Sequence, residues 1–288
     1  MNPSILVQAR GLTKHFAHQM AVDHIDFEVR EGGMVGFLGP NGAGKTTTIR
    51  MILNLLVPTE GELLLFGQSY QGHRREILER VNASSGTLTL PGKLTVAQNL
   101  RVFADMYGLK QAARRIEQLT QRFDLAELRD RPLYALSTGQ QVRVSLCKAF
   151  LNKPRLLLLD EPTASLDPEV AGRVRQFLMD LVREEGTTVF VTSHNMTEVE
   201  EICSRVLFIN HGRIIAEGTP RELARRVRRV RIEAKFEDGG EAAADVESGE
   251  VGAYVMQLVH AGKKIKDLSV KEPNLEDFFV EWARGGKE

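Results

Sequence analysis

The chain has 288 residues, of which 42% are apolar and 26% charged, with 38 basic against 38 acidic side chains. This length predicts one large domain, or one with a small appendage, and the apolar fraction is that of a globular protein. Zero net charge argues against nucleic acid as a partner, because proteins that coat it usually carry a basic excess. The longest run without a charged residue, 32–44, is shorter than a membrane helix of ~20 apolar residues. We therefore expect a cytosolic globular protein without a membrane span or signal peptide.

Hydrophobic periodicity predicts alternating strands and helices up to about residue 218. The predicted strands cover residues 34–38, 156–159, 187–192 and 206–209. A helix is predicted over 46–56, and Asn210-His211-Gly212 predicts a hairpin turn into a strand over 213–216. Because 156–159 is a run of four leucines, we expect this strand to be buried on both faces. Such alternation is typical of an α/β protein.

The middle of the chain, 95–152, has helical signals instead. Thr95 and Gln98 match a capping box. Apolar side chains follow at helical spacing, namely Val96, Leu100, Phe103 and Tyr107. Strand-rich sequence on both sides of this helical segment predicts two lobes within one domain.

Composition changes after Pro220, where an arginine cluster is followed by an acidic stretch to Glu250. Periodicity then predicts a β-α-β-α tail, whose segments are a strand over 230–236, a helix over 251–259, a strand near 268–270 and a helix after Asn274. The sequence thus predicts a domain over 1–220 and a small α+β domain over 221–288.

The most specific motif is Gly39-Pro40-Asn41-Gly42-Ala43-Gly44-Lys45-Thr46-Thr47, which matches G-x-x-x-x-G-K-[ST] between a predicted strand and a predicted helix. Glycines let successive backbone N–H groups turn toward phosphate oxygens. Lys45 would bring a charge to the β- and γ-phosphates and Thr46 a hydroxyl to Mg²⁺, beside the positive end of a helix. A Gly-rich turn without a ligand is the alternative, but the strand-helix context favours a nucleotide site.

Two elements in the second half extend this site. The strand over 156–159 is followed by Asp160, which could hold Mg²⁺, and by Glu161, which could polarise a water molecule. Without the phosphate loop, we would interpret the two residues as a solvated strand end. A second predicted helix starts at the residues Ser137, Gly139 and Gln140, and a helix start can bind an anion. Without the other motifs, we would interpret these residues as an N-cap. One chain thus has two helix starts suited to phosphate, which raises the hypothesis that a second molecule completes the site.

In order and spacing, these motifs resemble the nucleotide-binding subunit of an ABC transporter over residues 1 to about 220. The family's Walker A loop corresponds to 39–46, its signature to 136–140 and its Walker B strand to 156–160 with Glu161. Its D-loop corresponds to 165–167. Its switch histidine corresponds to His194 and its adenine-stacking aromatic residue to Phe16. Without the resemblance, we would assign His194 a structural role and Phe16 a place in the core. The resemblance implies a P-loop NTPase fold with a RecA-like core lobe, an antiparallel β lobe and a helical lobe at about 95–152.

The resemblance also implies a mechanism. Two copies would face head to tail, each ATP lying between one Walker A loop and the partner's signature residues Ser137, Gly139 and Gln140. ATP binding closes this homodimer and hydrolysis reopens it, moving integral membrane transporter subunits. Glu161 and His194 would be catalytic, while Thr46 and Asp160 would hold Mg²⁺. The expected protein is an ATPase on the cytoplasmic face of the cell membrane, peripheral and attached to its membrane partner.

Two positions depart from the family pattern. Thr138 stands where the signature usually has glycine. Counting without gaps places the family's Q-loop glutamine at Gly86, so this glutamine is absent, with Ser84 or Ser85 as candidate substitutes. In the family the glutamine links the site to the membrane subunit. We therefore expect its absence to affect coupling to that subunit more than hydrolysis. The segment 272–279 resembles the tail of ATPase subunits from bacterial multidrug, antibiotic and polysaccharide-type exporters, which favours export.

Two other functions remain open at this point. One is a soluble ABC-type ATPase acting on ribosomes or nucleic acid, although such proteins generally have tandem cassettes or a coiled-coil insertion. The other is an ATP-binding regulator that hydrolyses poorly, which the missing glutamine suggests. The sequence does not identify the cargo, because membrane subunits line the transport pathway.

Overall fold

The computed structural model describes residues 3–17, 19–85, 90–164 and 166–285, with side chains through residue 282. It contains two compact units. The first comprises Met1–Asn195 and Glu201–Glu217, and the second comprises Met196–Glu200 and Gly218–Glu288. The domain boundary at residue 220 stays a prediction.

The first unit contains two sheets and a helical segment. Its strands are β1 (Ile5–Phe16), β2 (Gln19–Arg30), β3 (Met34–Leu38), β4 (Glu60–Leu65), β5 (Val81–Ser85), β6 (Leu156–Asp160), β7 (Thr188–Ser193), β8 (Arg205–Asn210) and β9 (Arg213–Gly218). Its helices are α1 (Lys45–Ile52), α2 (Tyr70–Leu78), α3 (Val96–Met106), α4 (Ala112–Arg122), α5 (Thr138–Ala149) and α6 (Pro168–Glu185), and α7 (Met196–Ile202) crosses the boundary of the units.

The larger sheet has the strand order β5-β6-β7-β3-β8-β9, with parallel pairing from β5 through β8. Every residue of β3 is buried, and so are the four leucines of β6, which confirms the predicted burial on both faces. Parallel strands end at one edge, so the C-terminal ends of β3, β6 and β7 lie side by side there. This edge places the residues after Leu38, Leu159 and Val191 close together.

A second, antiparallel sheet has the order β2-β1-β4. Its buried face shares one hydrophobic core with the parallel sheet. Phe27 of β2 contributes an aromatic ring whose centroid lies 6.1 Å from that of Phe37 in β3 and 6.0 Å from that of Phe190 in β7. The two sheets are therefore packed as one unit around the loop that follows β3.

Helices α3, α4 and α5 form the expected helical lobe. The predicted capping box is present, because the Thr95 side chain accepts from the Gln98 N–H and the Gln98 side chain accepts from the Thr95 N–H. The helix predicted over 46–56 is wrong at its end. Helix α1 stops at Ile52, since Asn54 adopts the left-handed conformation with φ of 53°, which an α-helix does not continue.

The second unit contains α8 (Pro220–Ala224), β10 (Arg229–Phe236), β11 (Glu241–Glu247), α9 (Val251–His260), β12 (Ile265–Lys271) and α10 (Leu275–Gly285). Its sheet has the order β11-β10-β12. Side chains at alternate positions of β10 are buried, as predicted, and Asn274 caps α10 through its bond from the Asp277 N–H.

The predicted β-α-β-α order omits β11. This strand consists mainly of alanine and acidic residues, which have low intrinsic strand propensity. It forms because its backbone pairs with β10 from Arg229↔Glu247 to Lys235↔Glu241. The tail is therefore β-β-α-β-α.

Candidate nucleotide-binding and hydrolysis site

The loop 39–44 connects β3 to α1, and two of its glycines lie too close to neighbouring backbone for any side chain. A Cβ atom at Gly39 would lie 2.1 Å from the carbonyl oxygen of Ile209. One at Gly44 would lie 2.5 Å from the carbonyl oxygen of Ala21, and Gly44 has a φ of 110°. Neighbouring strands thus hold the loop tightly at the N-terminus of α1, where free N–H groups favour an anion.

Lys45, the first residue of α1, has a side chain that is only 5% exposed. Its Nζ donates to the carbonyl oxygens of Gly39, at 2.7 Å, and of Pro40, at 3.2 Å. These bonds curl the side chain back inside its own loop. The ammonium group is therefore positioned where the loop's backbone N–H groups would receive phosphate oxygens.

Thr46 and Asp160 come together although 114 positions separate them. The Thr46 hydroxyl donates to Asp160, with Oγ1 at 3.0 Å from Oδ2 and 3.3 Å from Oδ1. A hydroxyl beside a carboxylate is the donor set that Mg²⁺ takes from a protein while keeping water and phosphate ligands. The paired oxygens therefore fit the ion that the sequence predicts.

Glu161 follows directly after β6 and has a φ of 49°, a conformation that non-glycine residues rarely adopt. Its N–H donates to both the carbonyl and hydroxyl oxygens of Thr192, each at 3.1 Å. Its carboxylate lies between two basic groups, with Oε1 3.5 Å from Lys45 Nζ and Oε2 3.2 Å from His194 Nδ1. The strained turn thus directs the carboxylate toward the phosphate loop.

Thr192 is a residue of this site to which the sequence analysis assigned no role. Its buried hydroxyl donates to Asp160 Oδ1 at 2.6 Å and accepts from the Glu161 N–H. One hydroxyl therefore orients both acidic residues. A signal was available, because Thr192 ends a predicted strand two positions before His194 and parallel pairing places it opposite Asp160.

The three signature residues lie at a different helix start. Ser137 is the N-cap of α5 and forms a capping box with Gln140, whose Oε1 accepts from the Ser137 N–H at 3.0 Å. A Cβ atom at Gly139 would lie 2.8 Å from Cγ1 of Val170 in α6, so close packing already requires glycine here. Among the described residues, no hydrogen bond or ion pair joins this helix start to the loop 39–44.

Phe16 lies at the end of β1 and is 45% exposed, so assigning it to the core is wrong. The ammonium group of Lys14 lies over the Phe16 ring, with Nζ 5.3 Å from the ring centroid. An exposed aromatic face at a strand end can stack on a planar base, as the resemblance implies.

Some positions of interest lie outside the described residues, namely Gly86 and the D-loop residue Ser165. Ser84, offered as a substitute for the Q-loop glutamine, is buried with its Oγ 2.8 Å from that of Ser145 in α5. This hydroxyl therefore joins β5 to the helix that the signature begins.

A larger polar network supports the same junction of β5 and α5. Lys148 Nζ donates to Asn82 Oδ1 and to the Ala83 carbonyl, both at 3.1 Å, and lies 5.3 Å from the Phe103 ring centroid. The Asn82 side chain also donates to Asn152 at 2.8 Å. Burial lowers the pKa of Lys148 to about 8. The network ties the helical lobe to the strand that precedes Gly86.

With this geometry in place, comparison with known proteins identifies the family. The bacitracin transport ATP-binding protein of Bacillus licheniformis is 30% identical over 98% of this chain and 99% of its own length. This chain belongs to the ATP-binding subunits of ABC transporters. A fluoroquinolone export ATP-binding protein of Mycobacterium tuberculosis is 34% identical over 96% of this chain and 92% of its own. The family model described as ABC transporter matches residues 22–164.

A solved ATP-binding subunit of an ABC transporter has the same fold, with a TM-score of 0.69 and 27% identity over 77% of this chain and 92% of its own. The ABC cassette fold predicted from the sequence is therefore confirmed. The protein is an ATPase subunit of the exporter type, and such subunits act with membrane transporter components. The comparisons do not support a ribosomal or nucleic-acid function. In the described residues, each helix is too short or too polar to span a bilayer.

Proposed function

We propose that two copies of this chain enclose ATP between them, each site combining the loop 39–47 of one copy with Ser137, Gly139 and Gln140 of its partner. The observation that carries the proposal is that one chain has two separate helix starts suited to phosphate. The start of α1 is joined to Asp160 and Glu161, whereas the start of α5 has no bond to them in the described chain. A head-to-tail arrangement uses both.

Thr46 and Asp160 are the residues that would hold Mg²⁺ in this site. Bound there, the ion would neutralise charge on the β- and γ-phosphate oxygens. Thr192 keeps the Asp160 carboxylate fixed through its 2.6 Å bond. Lys45 contributes a second positive charge, and its bonds to Gly39 and Pro40 keep the ammonium inside the loop.

Glu161 is the general base of the proposed hydrolysis. Its carboxylate accepts the proton of the attacking water molecule, a step for which the strained backbone turn at φ of 49° already orients it. His194 holds the second carboxylate oxygen through Nδ1 and positions the water molecule at the γ-phosphate. Phe16 stacks on adenine.

Closure of the homodimer on ATP would drive export through separate integral membrane subunits, with this chain on the cytoplasmic face of the cell membrane. The names of the relatives support the direction, since they include bacitracin transport and fluoroquinolone export proteins. The transported compound would be selected by the membrane subunits.

Replacing Glu161 with glutamine tests the base. Glu161→Gln keeps the shape and removes the proton acceptor, so steady-state ATP hydrolysis should fall by about 10²-fold or more while ATP binding persists. Glu127→Gln, on an exposed short helix, is the matched control and should hydrolyse normally. Wild-type hydrolysis by Glu161→Gln would show that the base is another group.

Mixing two defective chains tests the shared site. Lys45→Ala removes the phosphate charge, while Ser137→Asp keeps a good N-cap but places a negative charge where phosphate would bind. Both changes are made in the Glu161→Gln chain. Sedimentation should show no Mg-ATP-dependent dimer for either variant alone but should show one for the mixture, since a mixed dimer contains one intact site. A mixture that gains no association when Mg-ATP is added would contradict the head-to-tail arrangement.

A further inference from the structure

Strand β12 of the second unit is an edge strand whose outer side has no neighbouring strand in the described sheet. Leu268 and Val270 lie directly opposite Ala234 and Ile232 of β10. Opposed residues share a face of an antiparallel sheet, so both belong to the face that β10 buries. They nevertheless remain 39% and 44% exposed.

The two edges of this sheet differ in charge. Strand β11 presents three exposed acidic residues and no basic one, so two copies of that edge would repel each other. Strand β12 and the residue after it alternate in sign, with Lys266, Asp267, Lys271 and Glu272. An exposed edge strand presents unpaired backbone N–H and C=O groups to which another strand can pair. Because β12 has both signs of charge, a partner strand whose charges are matched in register would be attracted rather than repelled.

The sequence of β12 is complementary to itself in one antiparallel register. When two copies are centred on Ser269, Leu268 faces Val270, Asp267 faces Lys271 and Lys266 faces Glu272, each pair occurring twice by symmetry. Ser269 faces its own copy and is small enough for the strands to approach. The apolar pairs lie on the exposed apolar face, and both charged pairs join opposite signs.

Neighbouring registers lack this match. Only registers centred on a residue preserve the alternation of inward and outward backbone groups along an antiparallel pair. Centring on Leu268 places Lys266 against Val270 and Ile265 against Lys271. Centring on Val270 places Leu268 against Glu272. The pattern therefore specifies one register and a second copy of this chain as the occupant.

We propose that β12 pairs with β12 of a second copy around Ser269, forming a continuous six-stranded sheet. This contact goes beyond the proposed nucleotide-dependent dimer, because it uses none of the residues of the ATP site. It would hold two chains together in the absence of nucleotide. It would also cover Leu268 and Val270, which the isolated chain leaves exposed.

Cross-linking of the full chain tests the contact. Ser269→Cys would place two thiols opposite each other at the two-fold axis, with Cβ atoms about 5 Å apart. The native Cys147 and Cys203 are buried and should not react. Ser248→Cys, exposed in the same unit, is the matched control. Without nucleotide, a short bismaleimide should cross-link the cysteine variant at 269 at least tenfold more than the control.

Charge reversal then tests the register. In the described part of the chain, neither Lys266 nor Glu272 forms an ion pair, so changing them leaves known internal bonds intact. Both changes are made in the Ser269→Cys chain. In a dimer of the Lys266→Glu variant, two acidic side chains would face each other at each pair of positions 266 and 272. In a dimer of the Glu272→Lys variant, two basic side chains would do so. Each should lower cross-linking about tenfold. An equimolar mixture of the two should restore it, because every mixed pair joins opposite charges.

Three results would overturn the proposal. These are cross-linking at 269 no greater than at 248, failure of the mixture to recover, and loss of cross-linking when Lys45→Ala is introduced. The last result would show that the contact depends on nucleotide binding. Conversely, if the mixed variants form no Mg-ATP-dependent dimer while cross-linking at 269 persists, the shared ATP site is contradicted and the β12 contact is retained.

Discussion

The two units of the chain are both built from sheets and helices, yet they bury their apolar residues to different degrees. In the first unit, all residues of β3 and the four leucines of β6 are buried. In the second, α9 has no buried residue and β12 leaves Leu268 and Val270 exposed. The first unit therefore has the close packing that fixes the side chains around the loop 39–44, whereas the second leaves apolar surface exposed to solvent.

Leucine truncation should give the largest difference between the units. Leu158→Ala in β6 should lower the free energy of unfolding by about 2–5 kcal/mol, because a fully buried side chain leaves a cavity. Leu268→Ala should change it by less than about 1 kcal/mol. Guanidinium unfolding followed by circular dichroism measures both. The fluorescence of Trp282, the only tryptophan, reports the second unit separately. Equal losses in free energy would contradict the difference in packing.

Lys148 should make the stability of the first unit depend on pH. Burial lowers its pKa from 10.5 to about 8, so between these values the unfolded chain binds more protons and stability rises with pH. The wild type should gain at most about 3 kcal/mol relative to Lys148→Met from pH 8 to 10.5.

Lys110, exposed in the same unit, provides the control for removal of a lysine, and Lys110→Met should not reproduce the effect of Lys148→Met. When Lys148 is replaced, Asn82 Oδ1 keeps its 2.8 Å bond from the Ala83 N–H, whereas the Ala83 carbonyl loses its bond from Nζ. That loss is the same at every pH, so it leaves the slope of the profile unchanged. Parallel profiles for wild type and Lys148→Met would show that the buried ammonium does not titrate in this range.

Thr192→Val should reduce kcat for ATP hydrolysis by about 10- to 100-fold with little change in stability or ATP binding. Valine has the same shape but removes the hydroxyl that orients Asp160 and the Glu161 N–H, and loss of such outer partners has this size of effect. Thr120→Val, a buried threonine that bonds within α4, is the control and should keep full activity. Equal effects on both variants would indicate a general packing defect.

Two glycine-to-alanine changes in helices should have effects of opposite sign. Gly139→Ala should destabilise by about 1–3 kcal/mol, since its Cβ would lie 2.8 Å from Val170. Gly252→Ala in α9 meets nothing within 4 Å and should stabilise the chain by about 0.5–1 kcal/mol. Thermal unfolding measures both.

The double variant Gly139→Ala with Val170→Ala separates packing from function. Removing the valine methyls should restore stability. If ATP hydrolysis also returns, Gly139 serves packing alone, and if it stays low, the glycine is needed at the partner's nucleotide. A double variant no more stable than Gly139→Ala would contradict the contact itself.

Much of the first unit could be predicted from the sequence. The strand 34–38, the four buried leucines and the capping box at Thr95 follow from local periodicity and side-chain chemistry, and the structure confirms each. The end of α1 was predicted incorrectly, and Phe16 is exposed although the residue taken alone would be assigned to the core. Both depend on where the chain turns, which is set by packing that periodicity does not report.

Strand β11 and Thr192 show the same limit in different ways. The first is a strand because its backbone pairs with β10, despite its unfavourable composition. The second becomes important because parallel pairing places its hydroxyl against Asp160, which lies 32 positions away in sequence. Neither relation is encoded in a local pattern.

The sequence by itself determined the chemical inventory of this protein: a phosphate loop, an acidic pair after a buried strand, a histidine and a second helix start, in the order of an ABC cassette. Only the tertiary structure decided which of these groups meet within one chain. It joins Thr46 to Asp160 and Glu161 to Lys45 and His194, and it leaves the start of α5 at a separate position. The reason is physical, because motif chemistry is carried by neighbouring residues while distances between motifs are fixed by the pairing of strands and the packing of their buried faces.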